Sequence, residues 1–208
     1  SKDFSYYLLT KSMANEVPVY SLCDGNGKQI RLLEGNVLLK ETISAYNVSN
    51  KEFFDITTER GDVLKAWMIK PADFDPAKKY PVFMTVYGGP GHNTVENQWE
   101  GSNYLWYQLL AQKGYIVVSV DNRGTGQRGE AFKKCTYLQL GKLETEDQIS
   151  AAKYLASQSY VDASRIGIQG WSYGGYMSSL CITKGADLFK MAKKAATETS
   201  NAAAELVS

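Results

Sequence analysis

Over the first fifty residues the apolar positions come in short runs broken by polar ones. Residues 4–9, 17–22 and 29–33 each read as a strand. Asp24-Gly25-Asn26-Gly27 separates the last two, and Asn-Gly supplies the positive φ that a tight hairpin needs. Three antiparallel strands bury little core by themselves. Residues 1–50 therefore predict one blade or edge of a larger β assembly, and residues 51–208 a second unit.

The rhythm changes after residue 50. Residues 53–58 and 63–69 predict a hairpin turning at Arg60-Gly61-Asp62, and Pro71 and Pro76 bracket a loop. Residues 82–87 form a nearly all-apolar strand that runs into Gly88-Gly89-Pro90-Gly91. Residues 104–113 predict a helix with Leu105, Leu109 and Leu110 on one face, stopped at Gly114. A strand at 115–120, a helix at 144–157 and a strand at 165–170 follow, with Ile149, Ala152, Leu155 and Ala156 striping the second helix. Continuous apolar strands alternating with helices imply a mostly parallel α/β sheet covered on both faces.

Composition narrows the function classes. The charges nearly cancel, at +1, which gives no support for a nucleic-acid or anionic-surface partner. No apolar run approaches the roughly 20 residues of a membrane span. The N-terminal Ser1-Lys2-Asp3-Phe4-Ser5 has no leader-like pattern and reads as if cut from a longer chain. Fourteen Tyr and four Trp favour strands and a ring-lined cleft. Cys23, Cys135 and Cys181 lack metal-like spacing and read as free thiols, and no metal or cofactor is expected.

The chemistry concentrates at Gly170-Trp171-Ser172-Tyr173-Gly174, between a strand and a helix predicted over 176–182. G-x-S-x-G recurs by chance, but on a strand-to-helix turn it has the form of a nucleophile elbow. The alternative is a serine that merely caps the helix. Tyr87-Gly88-Gly89-Pro90-Gly91 leaves the carboxyl end of an earlier strand, where such sheets place ligands and half of an oxyanion hole. The Tyr173 N–H is one natural donor to the developing anion. The second is either a backbone N–H of the glycine loop or the Tyr87 hydroxyl.

Gly124-Thr125-Gly126-Gln127-Arg128-Gly129 matches G-x-G-x-x-G, yet Asp121-Asn122-Arg123 separates it from the strand and no striped helix opens on its last glycine. It is read as a structural loop anchored by Arg123, and the acids Glu144, Glu146 and Asp147 as groups offsetting the dipole of the following helix. A nucleophilic serine also needs a base and an acid. His92 is the only histidine, and it precedes Ser172, whereas elbow-type hydrolases order Ser, acid, His. Asp187, Glu198 and Glu205 are the only acids beyond Ser172, and none follows a strand in the pattern. The triad Asp and His are not present.

The elbow extended to Gly175-Tyr176, the Tyr87–Gly91 loop, Asp121-Asn122-Arg123-Gly124-Thr125-Gly126 and Glu146-Asp147-Gln148-Ile149 together resemble the prolyl oligopeptidase family, and within it the dipeptidyl peptidase branch. The resemblance covers about residues 1–192. It implies that residues 1–50 are the end of a β-propeller and 51–208 the first part of an α/β-hydrolase domain with an incomplete sheet. It further implies a periplasmic, secreted or envelope serine exopeptidase, homodimeric when full length, acting on peptides with a free N-terminus and proline or alanine second. Ser172 would attack, Tyr173 and Tyr87 would form the oxyanion hole, and Tyr173 and Trp171 would line the substrate pocket. From Lys193 the chain departs from the family, becoming polar and alanine-rich, which suggests a helix or a loose tail on a truncated piece inactive alone. An acylaminoacyl-peptidase or esterase relative and a non-catalytic binding module are the alternatives.

Overall fold

A computed structural model describes the backbone of residues 1–195 and the side chains of residues 1–192. The chain begins with a meander of β1 (Tyr6–Met13), β2 (Glu16–Asp24) and β3 (Gln29–Glu34), paired antiparallel in that order. The β2–β3 connection is looser than Asn-Gly suggested. Only Gly27 of that pair has positive φ (89°), and Asp24 Oδ1 accepts from the N–H groups of Asn26 and Lys28 at 3.0 and 2.9 Å. These strands bury little, and Leu8, Ile30 and Leu32 stay exposed. A helix absent from the sequence expectations follows, α1 (Val37–Ser44), which has no buried residue.

The second sheet comprises β4 (Lys51–Thr57), β5 (Val63–Ile69), β6 (Tyr80–Thr85), β7 (Ile116–Asp121), β8 (Val161–Trp171) and β9 (Phe189–Ala195). Their order is β4-β5-β7-β6-β8-β9. β4 pairs antiparallel with β5 and β5 antiparallel with β7, and the remaining pairs are parallel. Between them run α2 (Ser102–Gln112), α3 (Glu130–Lys134), α4 (Leu143–Ala156) and α5 (Tyr173–Lys184). Side chains alternate across the strands, so two cores form. Val82, Met84, Ile116 and Val118 meet Ala151, Leu155 and Met177 of α4 and α5 on one face. Phe83, Val117 and Trp67 meet Tyr107, Leu110 and Ala111 of α2 on the other.

Three expectations are corrected. In α2 the buried face is Tyr104, Tyr107, Gln108 and Ala111 together with Leu110, while Leu105 and Leu109 are exposed. The Tyr107 ring meets that of Trp67 at a tilt, 5.2 Å between centroids, and Gln108 bonds both backbone groups of Ser49 (2.9 and 2.7 Å), so rings fill the core beside a satisfied amide. Secondly, the sheet continues beyond the elbow. β9 pairs parallel to β8 from Ile166↔Phe189 to Trp171↔Ala195, so residues 193–195 belong to a strand rather than to a tail. The rest of that stretch, with Glu198 and Glu205, lies outside the described residues. Asp187 lies between α5 and β9.

Thirdly, the acids that open α4 are not all solvated. Glu144 and Asp147 are buried. Asp147 accepts from the Arg123 N–H (2.7 Å) and is bridged by its guanidinium (2.6 Å from Nη2), with Asp62 and Glu146 alongside. The hydrogen bond to Asp147 raises the pKa of Arg123 above its ordinary value, keeping it charged. The anchoring role expected of Arg123 is thus seen, with Asp147 as its partner. Asp147→Ala leaves a largely buried guanidinium without its main counter-ion. It should lower the unfolding free energy by about 3–5 kcal/mol in urea titration, whereas Lys65→Ala, in an exposed pair with Asp55, should cost no more than about 1 kcal/mol.

Candidate active site

One residue, Ser172, separates the end of β8 from the start of α5, and its φ of 55° and ψ of −117° lie where non-glycine residues are strained. Two glycines make the turn possible. A Cβ on Gly170 or on Gly174 would overlap the carbonyl oxygen of Val86, just past β6. The Val86 N–H donates to the Gln169 carbonyl at 2.9 Å, so the same segment is bonded to the strand leading into the elbow. Ser172 is exposed and its side chain makes no capping hydrogen bond to α5, which removes the helix-cap alternative. Its hydroxyl is presented to solvent at the carboxyl end of the parallel strands, where such sheets hold ligands.

Around it stand the two tyrosines. Tyr173 opens α5, where helix geometry leaves the N–H without an intrahelical acceptor. Its ring lies 6.2 Å from that of Tyr87 and 5.5 Å from that of Tyr176. Gly89 runs beneath both oxyanion-hole candidates: a Cβ there would sit 2.7 Å from Tyr87 Cε1 and 3.2 Å from Tyr173 Cγ. Gly88 has φ of 71°, and its carbonyl accepts from Asn122 Nδ2 at 3.0 Å. Downstream, Asp121 accepts from the N–H groups of Thr94 and Val95 and from Asn93 Nδ2, which ties the far side of the loop to β7. Trp171, the last residue of β8, is half exposed beside the serine.

Sequence reasoning missed two buried residues of α4. Glu144 Oε1 accepts a hydrogen bond of 2.8 Å from the Tyr173 hydroxyl. Burial and then this bond to a carboxylate push the Tyr173 phenol above its ordinary pKa. Gln148 donates to Asn122 Oδ1 at 3.0 Å, behind the Tyr87 loop. The signal was present as polar residues at 144, 147 and 148 continuing the stripe of Ala151, Ala152 and Leu155.

His92 is exposed and meets the Tyr87 ring edge-on at 4.4 Å, with no described hydrogen bond to Ser172. The first two glycines of the G-x-G-x-x-G segment answer to packing: Cβ atoms on Gly124 and Gly126 would lie 2.8 Å from Thr136 and from Asn93 Oδ1, while Gly129 has open space around it and a φ of 86°. Among the described residues no three His, Cys, Asp or Glu side chains are grouped to hold a metal ion, and no helix is long and apolar enough to cross a membrane. The three cysteines are unpaired, with Cys23 and Cys181 buried.

The backbone strain at Ser172 gives a direct test. Glycine ordinarily destabilises relative to alanine by about 0.5–1 kcal/mol, but here it relieves strain of about 1–3 kcal/mol. Ser172→Gly should therefore be at least as stable as Ser172→Ala in thermal unfolding. Gly174→Ala should be markedly less stable than either, because its neighbour is backbone that cannot step aside.

Comparisons with known proteins agree with this geometry. Residues 102–204 match the Prolyl oligopeptidase family. The chain is 37% identical over 193 residues to a probable dipeptidyl peptidase 4 of Aspergillus flavus, covering 92% of this chain and 25% of that protein. It is 39% identical over 142 residues to human dipeptidyl peptidase 8, covering 68% of this chain and 16% of that one. The crystal structure of Porphyromonas gingivalis dipeptidyl peptidase 4 superposes with a TM-score of 0.87 at 45% identity, over 92% of this chain and 27% of that chain. The chain thus spans about a quarter of the length of the first curated relatives it matches. With the elbow, the sheet order and these matches in agreement, the chain belongs to the prolyl oligopeptidase family.

Proposed function

We propose that this chain carries the nucleophile and the oxyanion hole of a serine exopeptidase that releases N-terminal dipeptides, with proline or alanine second, through an acyl-enzyme. The observation that carries the reading is the strained, exposed Ser172, whose side chain does not cap α5. Its Oγ attacks the scissile carbonyl as a base takes its proton. The carbonyl oxygen becomes an anion between the Tyr173 N–H and the Tyr87 hydroxyl. Collapse of the intermediate expels the amine of the shortened peptide, and water then releases the dipeptide from Ser172. The half-exposed Trp171 and the Tyr173 ring wall the pocket for the residue acylating the serine.

The base is the part this sequence does not contain. No histidine follows Ser172, and His92 lies in the order and place of a loop residue. The reading therefore requires a histidine and an acid from outside residues 1–208, and it gives the chain alone no turnover comparable to a complete triad. Domain limits of 1–50 and 51–208 accompany it, supported by the separate three-stranded and six-stranded sheets.

The test uses the complete native polypeptide that carries this segment. Gly-Pro-p-nitroanilide should be cleaved and N-acetyl-Ala-p-nitroanilide left intact. Tyr87→Phe should lower kcat roughly 100-fold with little change in KM. Preferential cleavage of the acetylated substrate would assign an acylaminoacyl-peptidase instead. Equal inactivity of the native and Ser172→Ala forms on both substrates and on p-nitrophenyl esters would leave a binding module.

A further inference from the structure

Two donors that meet at one oxygen come here from different parts of the chain, Tyr173 from the start of α5 and Tyr87 from the segment after β6. Something must hold them in register, because a donor acts only within about 2.7–3.1 Å of the developing anion. Glu144 and Gln148 lie one turn apart on α4, on the same face of the helix, and both are 0% exposed. Glu144 reaches the Tyr173 hydroxyl at 2.8 Å. Gln148 reaches Asn122 Oδ1 at 3.0 Å, and Asn122 Nδ2 in turn reaches the Gly88 carbonyl, next to Tyr87, at 3.0 Å. The helix is itself fixed, since Asp147 binds both the backbone and the guanidinium of Arg123.

Stability alone does not account for this arrangement. Glu144 Oε2 and Gln148 Oε1 are buried without hydrogen-bond partners. A half-satisfied buried polar group costs more than an apolar one of the same volume. One turn further along, the same face carries Ala151, Ala152 and Leu155, which pack without that cost. We propose that α4 sets the separation of the two oxyanion donors, with Glu144 as the positioning residue of Tyr173 and Gln148 that of the Tyr87 loop through Asn122. The proposal rests on the exopeptidase reading above and adds the part that organises its oxyanion hole.

The experiment measures kcat, KM and thermal unfolding of the complete native polypeptide on a Gly-Pro chromogenic substrate. Glu144→Leu and Gln148→Met should each lower kcat by at least about tenfold, as small misplacements of reacting groups do. KM should stay within about twofold, and the unfolding temperature should not fall in step with the loss. Glu144→Gln keeps an acceptor for the phenol and should recover most of the rate. Tyr173→Phe should reproduce the Glu144→Leu loss, and the two together should lose no more than either. Unchanged kcat in Glu144→Leu, a loss that follows the unfolding temperature, or additive losses with Tyr173→Phe would overturn the positioning role alone. No Ser172-dependent turnover in the unsubstituted polypeptide would overturn the exopeptidase reading itself.

Discussion

The carbonyl of Val86, just past β6, is the contact on which the site is built. Gly170 and Gly174 press against it from the two sides of the elbow, at distances that exclude any side chain. Parallel pairing of β6 with β8 brings that carbonyl to the elbow, and the bond from the Val86 N–H to Gln169 holds it there. The chain leaving β8 must therefore reverse within one residue, and Ser172 takes the strained conformation that the reversal demands. The tight turn, the outward hydroxyl and the helix N-terminus behind it are three consequences of one steric constraint. The cost of the strained residue is met by the cores on both faces of the sheet.

A second constraint is polar. The segment after β7 bonds α4 on one side and the segment after β6 on the other, and the groups there are amides rather than methyls, while α5 bonds a carboxylate of α4. Such groups tolerate few geometries, because each hydrogen bond fixes a direction as well as a distance. An apolar face would be more forgiving and less exact. The same polar anchoring recurs at Asp121, which gathers the backbone of residues 94 and 95, and at Asp147, which gathers Arg123. The glycine-rich loop behind Tyr87 is thus held at both ends by consecutive side chains at the end of β7, Asp121 and Asn122.

Much of this was legible in the residues. The strand at 63–69 was read with its observed limits, and the elbow and the Tyr87 loop stood out because glycine positions and strand ends coincide. Other features were hidden for physical reasons. Phe189-Lys190-Met191-Ala192-Lys193-Lys194-Ala195 is too rich in lysine to read as a buried strand, and only pairing with β8 defines it. In α2 the leucines attracted the assignment, whereas the core took rings and a satisfied glutamine. Glu144 was read only as an acid offsetting a helix dipole and Gln148 was given no site role, because burial of a polar side chain depends on partners distant in sequence. His92, which the order along the chain set aside as a base, meets the Tyr87 ring edge-on in the structure.

The central proposal is that residues 1–208 fold a prearranged nucleophile and oxyanion hole, in a sequence where no histidine follows Ser172. The most direct measurement compares fluorophosphonate modification of the 208-residue chain when folded and when unfolded in urea, with the modified serine located by peptide mapping. The account predicts that Ser172 reacts faster in the folded chain than in the unfolded one, and faster than any other serine. Equal rates in the two states, or preferential modification elsewhere, would contradict it.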